Sequence, residues 1–337
     1  MAELFGLSLH THFNRFENNL NKFESKTIAL NRILLIVFFV ISIIADNTHA
    51  EDTSNVVLVS HKTAPYKDVF AGFQNFLSQQ GIKIDYDVHI LENDLSETQQ
   101  IIHHIKEEKA DILFTVGNRA TEMVLKDIAD IPVVASMILK NIKLTKAKNA
   151  TGVTLEFPIE TEFYWLRQFL PEVRRIGVIY NPEENHEKIH LAKSVAKKMG
   201  LTLYTQEVNQ PKDIPNALKN IAKNGDVLWG IPDTMVLNPQ TARQILLFSF
   251  RNNIPFCGLS PNWVEAGALY SLCWDYTDIG MQGGEAALKI QQGSKPDSVP
   301  IAAPRKVLYS INLKTARQMK IKISQELLLN AHQVFKE

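Results

Sequence analysis

The sequence predicts an α/β protein made of two Rossmann-like lobes, each containing a parallel β-sheet. Short apolar strand segments alternate with helical segments from Val56 onward, an order that predicts right-handed crossovers around a parallel sheet. The same order restarts after the polar stretch Lys140–Asn149, which indicates a second unit of the same type. A further strand, helix and strand follow near the C-terminus. Such a C-terminal segment is expected of a chain that crosses between two lobes several times.

The first lobe is predicted from apolar runs and helical periodicity. Its strands are short and mostly apolar, as expected for strands buried on both faces. Its first helix carries apolar residues at helical spacing from Val69 to Leu77 and is closed by Gly81. The predicted elements are strand Val56–Val59, helix from Pro65, strand Lys83–His89, helix after Ser96, strand Ile112–Val116, helix Ala120–Ile128 and strand Pro132–Ser136.

The second lobe repeats this pattern with little residue identity to the first. Its predicted elements are helix Pro158–Leu170, strand Arg175–Tyr180, helix Asn185–Gly200, strand Thr202–Val208, helix Ile214–Asn224, strand Asp226–Gly230, helix Pro239–Asn252 and strand Ile254–Cys257. The C-terminal segment is predicted to contain strand Gly267–Leu272, helix Ile279–Gln292, strand Lys306–Ile311 and helix Leu313–Met319.

An apolar segment near the N-terminus, Ile33–Ile43, predicts export. It follows the basic residues Lys26 and Arg32 and precedes small residues ending at Ala50, the three parts of a secretory signal peptide. The apolar run is about 13 residues long, shorter than the ~20 that span a bilayer. We therefore expect residues 1–50 to be an N-terminal extension plus a cleaved signal, with periplasmic localisation. An uncleaved membrane tether and an ordinary buried helix remain alternatives.

Composition restricts the possible functions. The chain is 45% hydrophobic and 21% charged, as in soluble globular proteins, and its formal net charge is zero. A zero net charge without a basic stripe argues against nucleic acid as a partner. No metal-ligand spacing is recognised and no cofactor is expected, since the adjacent His103 and His104 point about 100° apart on a helix. Cys257 and Cys273 each end an apolar run, and whether they form a disulfide stays open.

A ligand site is expected beyond the carboxyl ends of the parallel strands, where the two sheets would face each other across a cleft. The side chains there are polar or aromatic and suit a small polar or zwitterionic ligand. A carboxylate would bind at a helix N-terminus, and Asp233 or Asp275 would meet an ammonium. The candidate ligand-binding residues are Ser60, His61, Asn118, Ser136, Tyr180, Asn181, Asp233, Thr234, Ser260, Asp275 and Tyr276.

Several candidates also have a structural interpretation. Asn118, Asn181 and Asp233 would serve equally as helix caps or turn formers, and Tyr180 as a core residue. His61 would serve equally as a solvated loop histidine, and Ser136 as a hydrogen-bond partner of the backbone. An enzyme is less favoured, because G-x-S-x-G, H-E-x-x-H, Walker and G-x-G-x-x-G motifs are absent. The glycine-rich run Gly280–Gly284 lies inside a predicted helix, where close helix packing explains it better than phosphate binding.

The second half resembles a known family in a series of short segments. These are Gly230-Ile-Pro-Asp233, Ile254–Ser260, Val264–Leu272, Asp275–Gly280, Glu285–Lys289, Gly293, Pro296 and Ile311–Ala316. In this order they resemble the ABC-transporter substrate-binding protein family related to the tryptophan-binding TrpX proteins. The resemblance extends over roughly Val56–Ile323.

This resemblance implies a type I periplasmic-binding fold, with two lobes joined by three crossovers and closing on a ligand by hinge motion. It implies lobe 1 from residues 54–150 and 267–293, and lobe 2 from residues 151–266 and 305–325. The family's ligand loops fall on Ser60, Asn118, Ser136, Tyr180, Asn181 and Asp233. The segments Gly117-Asn-Arg119 and His61–Tyr66 depart from the family pattern and argue against an aromatic amino acid as ligand.

The expected function is that of an extracytoplasmic solute-binding protein of an ABC importer, without catalysis. It would bind a small polar or amino-acid-like ligand between the lobes and deliver it to the permease subunits. A ligand-sensing domain for a membrane signalling partner is the first alternative, and an α/β enzyme the second.

Overall fold

The computed structural model describes residues 53–91, 95–108, 110–139 and 142–336. Thr53–Glu337 forms one unit of the chain. The predicted export segment Ile33–Ile43 and the rest of residues 1–50 lie outside the described residues. Within the described part, none of the helices combines the length and apolarity needed to cross a membrane.

The first sheet has five parallel strands in the order β2-β1-β3-β4-β5. Alternating residues of the strand Thr53–Val59 face opposite layers. Leu58 packs with the helices that begin at Leu95 and Asn118, whereas Val57 and Val59 pack with those that begin at Ala64 and Tyr276. Its elements are β1 Thr53–Val59, α1 Ala64–Gln79, β2 Ile84–Ile90, α2 Leu95–Glu108, β3 Ile112–Val116, α3 Asn118–Asp127, β4 Val133–Ile138, α4 Ile142–Lys146, β5 Ala150–Thr154 and, later in the chain, α10 Tyr276–Gln291.

The second sheet has seven strands in the order β12-β11-β10-β9-β8-β6-β7. They are parallel except for the antiparallel pair β10 and β11. The elements are α5 Ile159–Phe169, β6 Arg175–Tyr180, α6 Pro182–Lys198, β7 Thr202–Glu207, α7 Ile214–Asn224, β8 Val227–Trp229, α8 Pro239–Asn252, β9 Phe256–Gly258, α9 Pro261–Glu265, β10 Tyr270–Trp274, β11 Val307–Asn312, α11 Leu313–Gln318, α12 Gln325–Leu329 and β12 Gln333–Phe335.

The chain passes between the two sheets three times. It leaves the first sheet after β5, returns after β10 into α10, and leaves again before β11. Hydrogen bonds join these crossovers: the indole N–H of Trp274 donates to the carbonyl of Leu155 at 2.8 Å. The guanidinium of Arg305 donates to both carboxylate oxygens of Asp278. The predicted α/β fold with two lobes and three crossovers is therefore confirmed.

The assignment of two strands differs from the sequence-based expectation. Residues 267–293 were expected in lobe 1 as one piece, but β10 pairs with β9 and β11 in the second sheet, and only the helix that follows reaches the first. Residues from 151 onward were expected in lobe 2, yet β5 is paired to β4 in the first sheet. The segment Ala-Thr-Gly-Val-Thr is too polar to read as a strand, although all five residues are buried.

The glycine-rich run inside α10 packs against α1, as predicted. A Cβ atom on Gly280 would overlap the carbonyl oxygen of Val69, and one on Gly72 would overlap that of Thr277. The two helices approach so closely because each contributes a glycine at the contact. This run is therefore a packing feature and not a phosphate loop.

Candidate functional site

A cavity of about 370 Å³ lies at the carboxyl ends of β8 and β9, beside the first two crossovers. Its volume falls in the range usual for small-molecule sites. Among the described residues that line it, Leu139 follows β4, and Leu155, Glu156 and Phe157 follow β5, which are both strands of the first sheet. The remaining wall comes from the second lobe and from the crossovers.

Aromatic side chains form much of the wall of this cavity. Tyr270, Leu272 and Trp274 alternate along β10, so all three point to the same face of that strand. Trp229 ends β8, and Phe157 belongs to the first crossover, with its ring 6.0 Å from that of Trp274 and nearly parallel to it. Such a wall suits an apolar or aromatic group of a ligand.

One side of the cavity carries a pair of opposite charges. Glu162, in the first turn of α5, accepts a hydrogen bond from the indole N–H of Trp229 at 2.6 Å. The ammonium of Lys188, from α6, lies 3.4 Å from the other oxygen of this carboxylate and 5.8 Å from the centre of the Trp229 ring. Both charged side chains are largely buried, at 17% and 20% exposed. The pair offers an acceptor and a donor of full charge next to the aromatic wall.

Two titratable side chains that line the cavity, Cys257 and Tyr270, are uncharged. Burial raises the pKa of the Cys257 thiol to about 12, and burial together with the adjacent Cys257 raises the pKa of the Tyr270 phenol well above its ordinary value. Both groups therefore keep their protons near neutral pH, and Cys257 is not a thiolate nucleophile. Cys257 and Cys273 are both free and buried.

Asp233 and Thr234 are the two sequence-predicted candidates that line the cavity. The buried carboxylate of Asp233 accepts four hydrogen bonds, from the N–H groups of Asn181, Met235 and Val236 and from the amide of Asn185. A carboxylate has about four acceptor positions, so a ligand ammonium would have to displace one of these donors. The N–H and hydroxyl of Thr234 both donate to the carboxylate of Glu184.

The candidates of the second lobe outside the cavity have local partners. Asn181 caps α6, accepting from the N–H of Glu183 at 3.1 Å. The hydroxyl of Tyr180 donates to Glu207 at 2.7 Å, and burial followed by this carboxylate raises the pKa of Tyr180 to about 12. Ser260 precedes α9, but its side chain makes no capping bond.

The candidates of the first lobe do not reach the cavity. The buried hydroxyl of Ser60 accepts the N–H of Ala120 at 3.0 Å, and His61 is exposed with its ring edge against Tyr66. Asn118 accepts the N–H of Leu139 at 3.0 Å, so it supports the segment that does reach the cavity.

The three remaining candidates also lie outside the lining of the cavity. Ser136 is buried, and its hydroxyl finds no hydrogen-bond partner among the described residues. Asp275 caps α10 through the N–H of Asp278 and lies 3.5 Å from the ammonium of Lys306. Tyr276 is half-buried beside Trp274, and burial raises its pKa.

The sequence of residues 54–335 matches the profile of the family described as ABC transporter substrate binding protein. The chain belongs to this family. It is a substrate-binding protein, as the resemblance noted in the sequence implied.

Relatives and solved structures agree with this membership. A tyrosine-binding protein of Clostridioides difficile is 22% identical over 261 residues, which cover 74% of this chain and 75% of the relative. The ligand-free, open structure of a Clostridium difficile substrate binding protein with adhesive properties matches with a TM-score of 0.69 and 21% identity, covering 85% of this chain and 100% of that one. A Streptococcus pneumonia ABC domain in complex with L-Trp matches with a TM-score of 0.57 and 22% identity, again covering 85% and 100%. These structures share the two-lobed type I binding fold.

Sequence reasoning missed most of the cavity. Trp229 falls inside a predicted strand, Glu162 and Lys188 fall inside predicted helices, and Trp274 lies just beyond a strand predicted to end at Leu272. The period-two spacing of Tyr270, Leu272 and Trp274 was the available signal. This spacing predicts a shared face of the strand, but it does not tell which sheet the strand joins.

Proposed function

We propose that this substrate-binding protein binds an amino acid with an apolar or aromatic side chain in the cavity at the ends of β8 and β9. The observation that carries the proposal is the Glu162–Lys188 pair beside an aromatic wall. A zwitterion needs one donor and one acceptor of full charge, and its side chain needs apolar surface. The ligands of two similar proteins, tyrosine and L-Trp, belong to the same chemical class.

Lys188 would bind the carboxylate of the ligand. An ammonium has three donors, and one points toward Glu162 at 3.4 Å, so donors remain for a second carboxylate. Glu162 would in turn accept from the ligand ammonium while Trp229 holds one of its oxygens. Charge-assisted hydrogen bonds of this kind are stronger than neutral ones and orient the ligand.

The departures from the family pattern at Gly117-Asn-Arg119 and His61–Tyr66 argue less strongly against an aromatic ligand than the sequence suggested. These loops belong to the first lobe, and none of their residues lines the cavity. They would contact a ligand from the opposite side of the cleft. The apolar part of the ligand would be selected by the second lobe.

Calorimetric titration with a panel of amino acids tests the proposal. Tyrosine, tryptophan, phenylalanine and leucine are expected to bind, while aspartate, lysine and the sugars arabinose and ribose are expected not to bind. Binding of a sugar with no response to any amino acid would contradict the proposal.

A pair of variants on α6 locates the site. Lys188→Met is expected to weaken amino-acid binding about tenfold to a hundredfold, because it leaves the ligand carboxylate unpaired. Lys193→Met removes an exposed lysine of the same helix and is expected to leave affinity unchanged. Equal affinity in both variants would remove Lys188 from the site.

Membership of the family supports a wider role. We infer that the protein is exported through the segment Ile33–Ile43, acts in the periplasm, delivers its ligand to ABC permease subunits and performs no chemistry on it. N-terminal sequencing of the protein from a periplasmic fraction is expected to begin at Glu51. Ligand recovered unchanged after prolonged incubation would support binding without turnover, whereas a converted product would contradict it.

A further inference from the structure

A cluster of two histidines and one aspartate lies in the first lobe, outside the ligand cavity. One carboxylate oxygen of Asp87 is 2.7 Å from Nε2 of His89 and 2.9 Å from Nε2 of His104. The three donor atoms all lie within 4.8 Å of one another. Among the described residues, no other group of three or more His, Cys, Asp or Glu side chains meets this distance.

The fold explains why these residues meet. Asp87 and His89 are two apart on β2 and point to the same face, the one that carries Leu91. Leu91 packs with Ile101, Ile102 and Ile105 of α2, so this face of the strand is covered by that helix. His104 follows Ile101 by three positions and extends the inner stripe of the helix toward the strand.

We propose that Asp87, His89 and His104 bind a divalent transition-metal ion, with Zn²⁺ as the preferred occupant. Two imidazole nitrogens and one carboxylate oxygen are ligands that Zn²⁺ accepts, and three protein ligands leave one position for water. The side chains are 23% to 42% exposed, which allows an ion and a water molecule to enter from solvent. The hard ions Ca²⁺ and Mg²⁺ prefer oxygen ligands and fit this set poorly.

Metal binding requires small adjustments of the cluster. In a tetrahedral zinc site with bonds of 2.0–2.1 Å, donor atoms lie about 3.3 Å apart. The carboxylate oxygen therefore moves away from each ring by about half an ångström. Each imidazole would bind the metal through the lone pair of Nε2 and carry its proton on Nδ1.

The metal would join two elements that are otherwise held by packing and by the contact between Asp87 and His104. β2 is an edge strand of the first sheet, paired only to β1 among the described strands. His104 is seventeen positions from Asp87 in the chain. Coordination would tie the edge strand to α2 and stabilise the first lobe. This proposal does not depend on the nature of the ligand in the cavity.

Zinc titration of the full-length chain in detergent, repeated on the chain from Glu51, tests the proposal. The shorter chain removes His10, His12 and His49, which would add background binding. His89→Ala and His104→Ala are each expected to lower the Zn²⁺ affinity by at least about tenfold. Loss of a residue that only hydrogen-bonds to a metal ligand already lowers affinity by about tenfold to a hundredfold. Asp87→Asn is expected to have a similar effect while preserving the shape of the side chain.

Two matched controls come from the chain itself. His103→Ala removes the neighbouring histidine of the same helix, whose side chain is 74% exposed and pairs with Glu107 at 3.2 Å. His186→Ala breaks an exposed histidine pair four apart on α6. Both variants are expected to keep the affinity of the unmodified chain. Co²⁺ is expected to give the visible absorption of a tetrahedral site in both controls and not in His104→Ala.

Equal Zn²⁺ affinity in His103→Ala and His104→Ala would overturn the proposal. So would an unmodified chain that binds Zn²⁺ no more tightly than the double variant of His89 and His104. Far-UV circular dichroism checks folding of each variant. If His104→Ala does not fold, the comparison between Asp87→Asn and His103→Ala decides the question.

Discussion

The two lobes present polar residues at the carboxyl ends of their strands, but they use them differently. In the first lobe, Ser60 caps a helix from a neighbouring strand and Asn118 binds the backbone of Leu139. In the second lobe, the strand ends open onto a cavity with aromatic walls and the Glu162–Lys188 pair. The rule that ligands bind at strand ends points to the edge of the second sheet at which this cavity lies. It does not tell which side chains remain available once the backbone has been satisfied.

The source of the difference is the strand β10. It joins the second sheet, and its alternating face contributes Tyr270, Leu272 and Trp274 to the cavity. The first lobe receives only the helix that follows, and this helix docks by glycine contacts rather than by forming a pocket. The comparison between the lobes predicts effects of mutation that fall in a definite order.

The largest expected effect is on stability, at Asp233. Asp233→Ala leaves the buried N–H groups of Asn181 and Val236 without an acceptor, and we expect the free energy of unfolding to fall by about 4 kcal/mol. Urea denaturation measures this loss. Asp275→Ala, which removes a more exposed cap, is the control, with an expected loss of about 1 kcal/mol. A small loss at Asp233 with abolished ligand binding would instead make it a ligand residue.

The next effect belongs to the first lobe. Gly280→Ala places a methyl group against the backbone of Val69, so α10 and α1 must separate, at a cost of about 2 kcal/mol. Lys289→Ala, an exposed change on the same helix, is expected to be near neutral. Thermal unfolding compares the two variants. Equal unfolding temperatures for the two variants would show that the close approach of the two helices does not contribute to stability.

The third effect concerns ligand binding. Trp229→Ala removes part of the aromatic wall and the donor that holds Glu162, and we expect amino-acid affinity to fall about tenfold to a hundredfold. Calorimetry measures the change. Tyr180→Phe, on the adjacent strand β6, loses only the bond to Glu207 and is expected to bind normally. Weaker binding by the Tyr180 variant would extend the site beyond the cavity.

The smallest effect is expected at Ser60. Ser60→Ala loses one hydrogen bond to the N–H of Ala120, which predicts a loss of about 1 kcal/mol in unfolding free energy. Ligand affinity is expected to stay unchanged in the same preparation. A clear loss of affinity would mean that the first lobe contributes directly to binding, and the contrast between the lobes would then be wrong.

Much of the secondary structure was predictable because its signals are local. The strands Ile112–Val116 and Arg175–Tyr180 and the helices Ile214–Asn224 and Pro239–Asn252 have the predicted bounds. Each shows a continuous apolar run or a helical stripe. In contrast, β5 was missed because its polar atoms are satisfied only in the tertiary structure, as when the hydroxyl of Thr151 donates to the carbonyl of Val299.

The candidate site was less predictable because hydrogen-bond partners come from distant parts of the chain. Asp233 looks like a ligand carboxylate in the sequence, but Asn181 and Asn185 occupy it from about fifty residues away. The adjacent pair His103 and His104 predicts no metal site, because neighbouring helical residues point about 100° apart. The partners of His104, Asp87 and His89, lie on a strand, seventeen and fifteen positions earlier.

The sequence by itself determined the alternation of strands and helices, the division into two lobes and the family. Apolar periodicity encodes these features within each segment, and folding does not alter them. The tertiary structure decided which sheet β10 joins, which polar groups at the strand ends stay available, and that Asp87, His89 and His104 come together. These outcomes depend on strand pairing and on saturation of hydrogen bonds between distant residues, which no local pattern records.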